Sequence, residues 1–178
     1  MKLIIVRHGQ TDWNLNEKTQ GRTDNPLNET GMAQARELAE KLRDKQIDLI
    51  ISSPLLRARQ TADEINKHHN APIVIDEGCK ERDFGDLEGT YCGGDQAWRY
   101  YHKDMAIPNG ETTKEFTARI FKFLDRITLE YKGKYDTVLI SCHGMAMRSM
   151  WWYFEGLPDR ENEVVKKLDN CEVMEYEV

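Results

Sequence analysis

The sequence lacks long apolar runs, stripes rich in Lys and Arg, and closely spaced pairs of cysteines. Its longest apolar runs span only a few residues, so no transmembrane helix and no membrane partner are expected. The formal net charge is −6, and no segment is dense in basic residues, which argues against a nucleic-acid partner. The cysteines show no Cys-x-x-Cys spacing, which favours free thiols over a zinc site or a disulfide framework. They are Cys79, Cys92, Cys142 and Cys171.

Repeats, linkers and low-complexity tracts are also missing, so the 178 residues are predicted to form one domain, 1–178. The chain is 39% hydrophobic and 31% charged, a balance typical of a soluble globular protein with a substantial core. Lys2 is followed at once by a short apolar run that indicates a strand rather than a signal peptide. We therefore expect a cytoplasmic protein.

Short apolar segments alternate with helical patterns along the chain. Residues 3–6 are predicted to form a buried strand, because this run is short, apolar and rich in β-branched side chains. Alternation of strands and helices favours an α/β fold, here a three-layer α/β/α sandwich whose mainly parallel sheet carries an antiparallel edge strand. The other predicted strands are 48–52, 73–75, 137–141 and 171–178, and the predicted helices are 32–45, 54–69, 115–131 and 144–154.

Two segments show no clear periodicity. Residues 10–27 are predicted to form a polar loop. An irregular insertion at about 76–112 is rich in glycine and aromatic residues, including Trp98, Tyr100 and Tyr101. An unpatterned stretch of this length is usually functional, and we expect residues 82–110 to set substrate specificity. For the aromatic side chains, ordinary packing is the favoured interpretation, and a lid over the substrate is the alternative.

Polar residues follow four of the predicted strands at the point where each strand ends. Arg7 and His8 follow the first, Arg57 the second, Glu81 the third and His143 the fourth. In open α/β sheets these positions meet at one edge, where ligands bind. Two guanidinium groups can bind phosphate oxygens, an imidazole can attack phosphorus, and a carboxyl can donate a proton and later accept one. The set predicts phosphoryl transfer.

The same residues lie in motifs that occur in order over nearly the whole chain. Together they resemble the histidine phosphatase superfamily, which includes the cofactor-dependent phosphoglycerate mutases. The motifs are Arg7-His8-Gly9-Gln10-Thr11-x-x-Asn14, Gln20-Gly21-x-x-Asp24-x-Pro26-Leu27 with Gly31-x-x-Gln34-Ala35, Ser52-Ser53-Pro54-x-x-Arg57-Ala58-x-Gln60-Thr61, Glu81-x-x-Phe84-Gly85-x-x-Glu88-Gly89, Pro108-x-Gly110-Glu111-Thr112 and Ser141-x-His143-Gly144.

The resemblance implies a role for each matching residue. His8 would be the nucleophile that becomes phosphohistidine, and Glu81 would be the proton donor. The family needs no metal, and for this chain we expect no cofactor and a small phosphomonoester as the substrate. The residues that would hold the phosphate or the substrate are Arg7, Asn14, Gln20, Gly21, Arg57, His143 and Gly144.

The chain departs from the mutase branch of that family. Only 29 residues separate Glu81 from Glu111, and they contain no Arg-Arg-x-x-x-Pro element of the kind that mutases use on a second phosphate. A shorter insertion suggests a more open pocket, in which water completes the turnover. We therefore predict a phosphomonoester hydrolase of the phosphatase branch, with mutase activity as the alternative. The metabolite and the oligomeric state are left open.

Two further interpretations compete with this one. Cys142 and Arg148-Ser149 fit the Cys-x5-Arg-Ser loop of cysteine-dependent phosphatases, which also follows a strand and precedes a helix. Gly144 is second among the five intervening residues, whereas that loop places its glycine in the middle. The other interpretation is a non-catalytic relative that binds phosphoesters, although such proteins usually lose a core residue of the site.

Overall fold

The computed structural model describes residues 1–92, 107–157 and 168–178. Within these residues the strands form one sheet, and longer helices cover both of its faces. The strands are β1 (Lys2–Arg7), β2 (Leu49–Ser52), β3 (Ile73–Ile75), β4 (Thr137–Cys142) and β5 (Val173–Glu177). The helices are α1 (Asp12–Leu15), α2 (Glu29–Leu42), α3 (Leu56–Asn66), α4 (Thr113–Tyr131) and α5 (Gly144–Glu155).

The strand order is β3-β2-β4-β1-β5. β1 runs parallel to β4, with Ile5 opposite Ile140, and β4 runs parallel to β2. β5 pairs with β1 in the antiparallel direction at the edge, with Met174 opposite Ile5. The predicted mainly parallel sheet with an antiparallel edge strand is confirmed.

Alternate side chains of the central strands enter two different cores. On β1, Leu3 and Ile5 pack into the cluster that also contains the apolar stripes of α4 and α5. Ile4 and Val6 point to the opposite face and pack with residues of α2 and α3. Because successive side chains of a strand face opposite sides, one fully apolar strand supplies both layers of helices. This arrangement is the predicted three-layer sandwich.

The ends of several helices differ from the sequence prediction. α2 begins at Glu29 rather than at 32, because the side chain of Asn28 caps it by accepting the N–H of Gly31 at 2.8 Å. α2 ends at Leu42 and α3 spans residues 56–66, so both predicted C-terminal ends lie too far along the chain. The predicted loop 10–27 contains the short helix α1, which opens with a reciprocal cap between Thr11 and Asn14.

The described part of the insertion, residues 76–92 and 107–112, contains two short 3₁₀ turns, Glu77–Cys79 and Gly85–Leu87. Residues 93–106 lie outside the described residues, and so do Trp98, Tyr100 and Tyr101, for which packing or a lid was predicted.

Among the helices that the structure describes, none combines the length and the apolar character needed to cross a membrane.

Candidate active site

The site lies where β1, β2 and β4 end at the same edge of the sheet. The N–H of His8 donates to the carbonyl of Cys142 at 3.0 Å, and the N–H of Ser53 donates to the carbonyl of Ser141 at 3.0 Å. The strand ends are thus joined by backbone hydrogen bonds. As a result, the imidazole rings of His8 and His143 lie 5.3 Å apart between centroids, tilted by 60°. The structure brings the two predicted histidines together.

The ring of His8 is buried and bonded at both nitrogens. Nδ1 lies 2.7 Å from the carbonyl oxygen of Gly9, and Nε2 lies 3.3 Å from Nε of Arg57. Since a carbonyl only accepts and a guanidinium only donates, Nδ1 carries the proton and Nε2 carries the lone pair. Burial, followed by the charges of Arg57 and Arg7, holds the pKa of His8 well below 6.5. The ring is therefore neutral at physiological pH.

Arg57 is held in place by the loop that follows α1. Its Nη1 donates to the carbonyl of Thr23 at 2.8 Å, and its Nη2 donates to the carbonyl of Gly21 at 2.7 Å. The side chain is almost wholly buried, and burial lowers its pKa to about 10. The guanidinium therefore stays charged at neutral pH, with Nε–H as the donor directed at His8.

The loop that holds Arg57 is in turn bonded to the carboxylate of Glu88. Oε1 accepts the N–H of Arg22 at 2.7 Å, and Oε2 accepts the N–H of Thr23 at 2.7 Å and its hydroxyl at 2.5 Å. Gly21 has a φ of +54°, and a Cβ there would lie 2.0 Å from Oε1 of Glu88. Glycine at 21 is therefore needed for the loop to close over Glu88.

Arg7 extends from the end of β1 towards the start of α5. Its Nη1 donates to the carbonyl of Leu168. A Cβ at Gly144, the first residue of α5, would be only 3.4 Å from Nε of Arg7. Nε itself has no hydrogen-bond partner among residues 1–92, 107–157 and 168–178. Arg7 and Gly144, both predicted to bind phosphate, are thus adjacent.

His143 occupies the N-cap position of α5 and is fully buried. Its Nε2 lies 2.7 Å from Oγ of Ser53, and its Nδ1 has no hydrogen-bond partner in the part of the chain that the structure describes. Burial, together with the charge of Arg57, holds its pKa well below 6.5. A neutral ring that takes the hydroxyl proton of Ser53 at Nε2 presents N–H at Nδ1.

The carboxyl group of Glu81 is anchored by two backbone donors. Oε1 accepts the N–H of Arg82 at 3.0 Å, and Oε2 accepts the N–H of Met145 at 3.1 Å. Met145 lies in the first turn of α5, next to His143, so the carboxyl group bridges the insertion and the helix. Only 8% of Glu81 is exposed.

The other acidic residues nearby are engaged elsewhere. Asp83 pairs with Arg22 at 3.1 Å, Asp86 is exposed, and Glu88 accepts four hydrogen bonds from backbone and hydroxyl donors. In the sequence, all of these acidic residues follow the third predicted strand, and only motif position separated Glu81 from the others. The structure adds a physical reason, because this carboxyl group is the one joined to the helix that begins beside His143.

Asn14 and Gln20, both predicted substrate ligands, belong to a hydrogen-bonded group around Thr11. The hydroxyl of Thr11 donates to Oε1 of Gln20 at 2.9 Å and lies 3.2 Å from Oδ1 of Asn14. Asn170 completes the group, since its amide donates to the carbonyl of His8 at 3.0 Å and to Oδ1 of Asn14 at 3.3 Å. Sequence reasoning missed Asn170, which no predicted motif contains.

Gly9, in the motif that follows β1, lies against the backbone of α2. A Cβ at Gly9 would lie 2.5 Å from the carbonyl oxygen of Gly31, at the start of α2. Glycine is needed here because two backbone segments touch.

Cys142 lies at the end of β4, fully buried among apolar side chains. Burial, followed by the charge of Glu81, raises the pKa of its thiol well above the usual range. A cysteine-dependent phosphatase needs a thiolate, so this environment argues against Cys142 as the nucleophile.

Among the described residues, no cluster of three or more His, Cys, Asp or Glu side chains is arranged to hold a metal ion.

The structure is a three-layer α/β protein. Its site places a pair of imidazoles beside two arginines, an arrangement suited to binding a phosphoryl group. Residues 3–178 match the histidine phosphatase superfamily (branch 1), and the chain belongs to this superfamily. The resemblance that the six motifs indicated is thereby confirmed.

Similar proteins include both a phosphatase and a phosphoglycerate mutase. The chain is 42% identical over 169 residues to the uncharacterized phosphatase PhoE of Bacillus subtilis, covering 95% of this chain and 84% of PhoE. It is 34% identical over 170 residues to a 2,3-bisphosphoglycerate-dependent phosphoglycerate mutase of Methylobacterium, covering 87% and 81%. The solved structure of Bacillus stearothermophilus YhfR superposes with a TM-score of 0.88 at 27% identity, covering 99% of this chain and 91% of YhfR.

Proposed function

We propose that this protein hydrolyses small phosphomonoesters through a phosphohistidine formed on His8. The observation that carries the proposal is the state of the His8 ring. Its Nδ1 is fixed by the carbonyl of Gly9, and its Nε2 lone pair faces Nε–H of Arg57. A neutral imidazole held in one tautomer beside a permanent cation is suited to attack the phosphorus of a bound phosphate.

In the first step, Nε2 of His8 forms a bond to phosphorus while the bond from phosphorus to the ester oxygen breaks. Arg57, Arg7 and Nδ1–H of His143 donate to the phosphoryl oxygens. Such charge-assisted contacts are worth roughly 1.5–3 kcal/mol each and act most strongly on the charge that develops in the transition state. Glu81 in its acid form gives its proton to the leaving oxygen, so the alcohol departs neutral.

In the second step, Glu81 is a carboxylate and takes a proton from water. The water oxygen attacks phosphorus, and the bond from phosphorus to Nε2 of His8 breaks. Inorganic phosphate leaves, His8 returns to the neutral Nδ1–H tautomer, and Glu81 is again protonated. One carboxyl group therefore acts as acid and then as base, so the cycle closes without a net change in the protein.

The reaction is proposed to be independent of metal ions. The positive charge that phosphoryl transfer needs is supplied here by arginine, and Arg57 stays charged because its pKa is lowered only to about 10. The second guanidinium, on Arg7, lies at the start of α5 beside Gly144. Backbone N–H groups at a helix start add to the attraction for an anion.

Hydrolysis is proposed over mutase chemistry because of the insertion between Glu81 and Glu111. It spans only 29 residues and has no Arg-Arg-x-x-x-Pro element to bind a second phosphate. A mutase must exclude water from its phosphohistidine and return the phosphoryl group to a bound acceptor. Several relatives are phosphoglycerate mutases, and mutase activity is therefore the second candidate.

The test is to trap the phosphoenzyme with a radiolabelled phosphomonoester and to locate the label. Label that survives alkali, is lost in acid and is absent from His8→Ala supports the proposal. Label that persists in His8→Ala overturns it. A screen of phosphate release over a panel of phosphorylated metabolites then identifies the substrate class, and phosphoryl transfer to a phosphoglycerate instead of to water would favour the mutase.

A further inference from the structure

Glu81 lies in a short backbone arch, residues 78–83, that is bonded to α4. The guanidinium of Arg119 on α4 donates to three carbonyls of this arch. Its Nη1 bonds the carbonyls of Gly78 at 3.0 Å and Lys80 at 3.1 Å, and its Nη2 bonds the carbonyl of Glu81 at 3.1 Å. One side chain thus fixes the backbone at Glu81 and before it.

Glu111 secures the other side of the same arch. Its carboxylate accepts Nε and Nη2 of Arg119 at 2.9 Å each, a two-point contact that orients the planar guanidinium. Oε2 of Glu111 also accepts the N–H of Asp83 at 3.0 Å, and the N–H of Glu111 donates to the carbonyl of Asp83 at 2.9 Å. Burial alone would raise the pKa of Glu111, but the bonds from Arg119 and Asp83 lower it.

These bonds determine where the carboxyl group of Glu81 sits. Its two oxygens are held by Arg82, inside the arch, and by Met145, on α5. A shift of the arch relative to α5 would break the second bond and move the carboxyl group away from the site. Arg119 contacts Glu81 only at its main-chain carbonyl, so its influence on this acid acts through the position of the backbone and not through a bond to the carboxyl group.

We propose that Arg119, oriented by Glu111, is a positioning residue for the proton donor Glu81. This inference rests on the proposed function, in which Glu81 protonates the leaving alcohol. A displaced acid harms the reaction only when the leaving oxygen needs a proton. The effect of Arg119 must therefore depend on the leaving group, whereas a general loss of stability or of phosphate binding would not.

The experiment compares kcat/KM for an alkyl phosphate, glycerol phosphate, with kcat/KM for p-nitrophenyl phosphate. This constant reports formation of the phosphoenzyme, and nitrophenolate leaves without a proton. Glu81→Gln is the reference variant. Its kcat/KM should fall on the order of 10²-fold or more for the alkyl ester and much less for the aryl ester. Arg119→Met is expected to lose about 10-fold more on the alkyl ester than on the aryl ester.

Arg126→Met is the matched control. Arg126 lies on the same helix, over the ring of Phe123, and pairs with Asp76 at 2.6 Å, much as Arg119 lies over Phe116 and pairs with Glu111. Among the described residues, its side chain contacts Phe123, Asp76 and Glu130 and bonds none of residues 78–83, so the alkyl-to-aryl ratio should be unchanged. Arg119→Lys keeps the charge but loses the planar fork, and it decides the question if thermal melting shows that Arg119→Met does not fold.

The double variant Glu81→Gln/Arg119→Met separates positioning from a second, independent role. If Arg119 acts through Glu81, the double variant is no slower on the alkyl ester than Glu81→Gln alone. Equal losses of Arg119→Met on both esters, or additive losses in the double variant, overturn the inference and leave the proposed function intact. If Glu81→Gln itself loses equally on both esters, the assignment of Glu81 as the acid fails, and the inference fails with it.

Discussion

Arg57 donates its Nε–H to Nε2 of His8 over 3.3 Å. Nδ1 of the same ring lies 2.7 Å from the carbonyl oxygen of Gly9, so the ring can hold only the tautomer with a free lone pair at Nε2. Burial and the neighbouring guanidinium groups keep the ring neutral. The proposed nucleophile therefore has a free lone pair at Nε2 before a substrate binds, and several measurable properties depend on this arrangement.

Replacing His8 with alanine removes the proposed nucleophile. We expect His8→Ala to lower kcat on p-nitrophenyl phosphate by a factor on the order of 10⁴ or more. Cys142→Ala is the control, since it removes only a buried neutral thiol, and its activity should stay within about 3-fold of the parent because the cavity is small. Substantial turnover by His8→Ala together with an inactive Cys142→Ala would favour the cysteine-dependent mechanism.

The two buried histidines predict how stability depends on pH. The pKa values of His8 and His143 lie well below 6.5 in the folded protein, whereas unfolded histidine titrates near 6.5. Below that pH the unfolded chain binds more protons than the folded one, so the free energy of unfolding falls as pH falls. Each histidine contributes a slope of up to about 1.4 kcal/mol per pH unit.

Urea unfolding between about pH 7.5 and pH 5 measures this slope, in a range mostly above the titration of carboxyl groups. The contribution is fully present above about pH 6.5 and is lost as pH decreases from there towards the folded-state pKa values. His143→Asn removes one of the two groups and should reduce the slope. A free energy of unfolding that does not change over this range would contradict the prediction.

Glu88→Gln tests the support of Arg57. The amide would direct an N–H₂ group at the backbone donor of Arg22 or Thr23, leaving a partly buried donor unpaired at a cost of about 1 kcal/mol or more. Because this loop holds Arg57, we expect a lower Tm and also a higher KM. Glu77→Gln is the control, since the side chain of Glu77 is 73% exposed, and it should change neither quantity. A normal KM in Glu88→Gln would separate the loop from substrate binding.

Asn170→Leu tests the contact between the segment before β5 and the backbone of His8. It removes the bonds to the carbonyl of His8 and to Asn14, each worth about 1 kcal/mol. We expect kcat to fall roughly 5- to 10-fold, because the backbone that carries His8 gains freedom. Asn16→Ala, which removes an exposed amide, is the comparison and should leave kcat unchanged. Equal kcat values in the two variants would exclude a positioning role for Asn170.

Chelation tests the proposed independence of metal ions. If Arg7 and Arg57 supply the positive charge, dialysis against EDTA should leave kcat unchanged, and added Mg²⁺ or Zn²⁺ should not raise it. Vanadate, which can take the shape of the phosphoryl transition state, should inhibit with a Ki below the KM of the substrate. Loss of activity on chelation that a divalent cation restores would overturn the proposal.

Much of the fold follows from local pattern. The run at 3–6 is apolar on both faces, and such a run is stable only as a central strand between two layers. The helix limits were less predictable, because the start of α2 depends on the Asn28 cap and the start of α3 lies against Asp24, which accepts the N–H of Leu56 at 2.6 Å. The start of α3 thus involves Asp24, a residue that is distant in the sequence.

For the candidate site too, some features could be predicted from the sequence and others could not. His8, Arg57, Glu81 and His143 could be selected because strand ends in an α/β sheet meet at one edge, and the sequence by itself determined both the edge and the chemistry. Only the tertiary structure decided what orients these groups. Arg119, Glu88 and Asn170 act through hydrogen bonds to backbone that is 38, 66 and 162 residues away. A sequence pattern records which side chains are present, whereas such bonds exist only once the folded chain brings donor and acceptor within 3 Å or so.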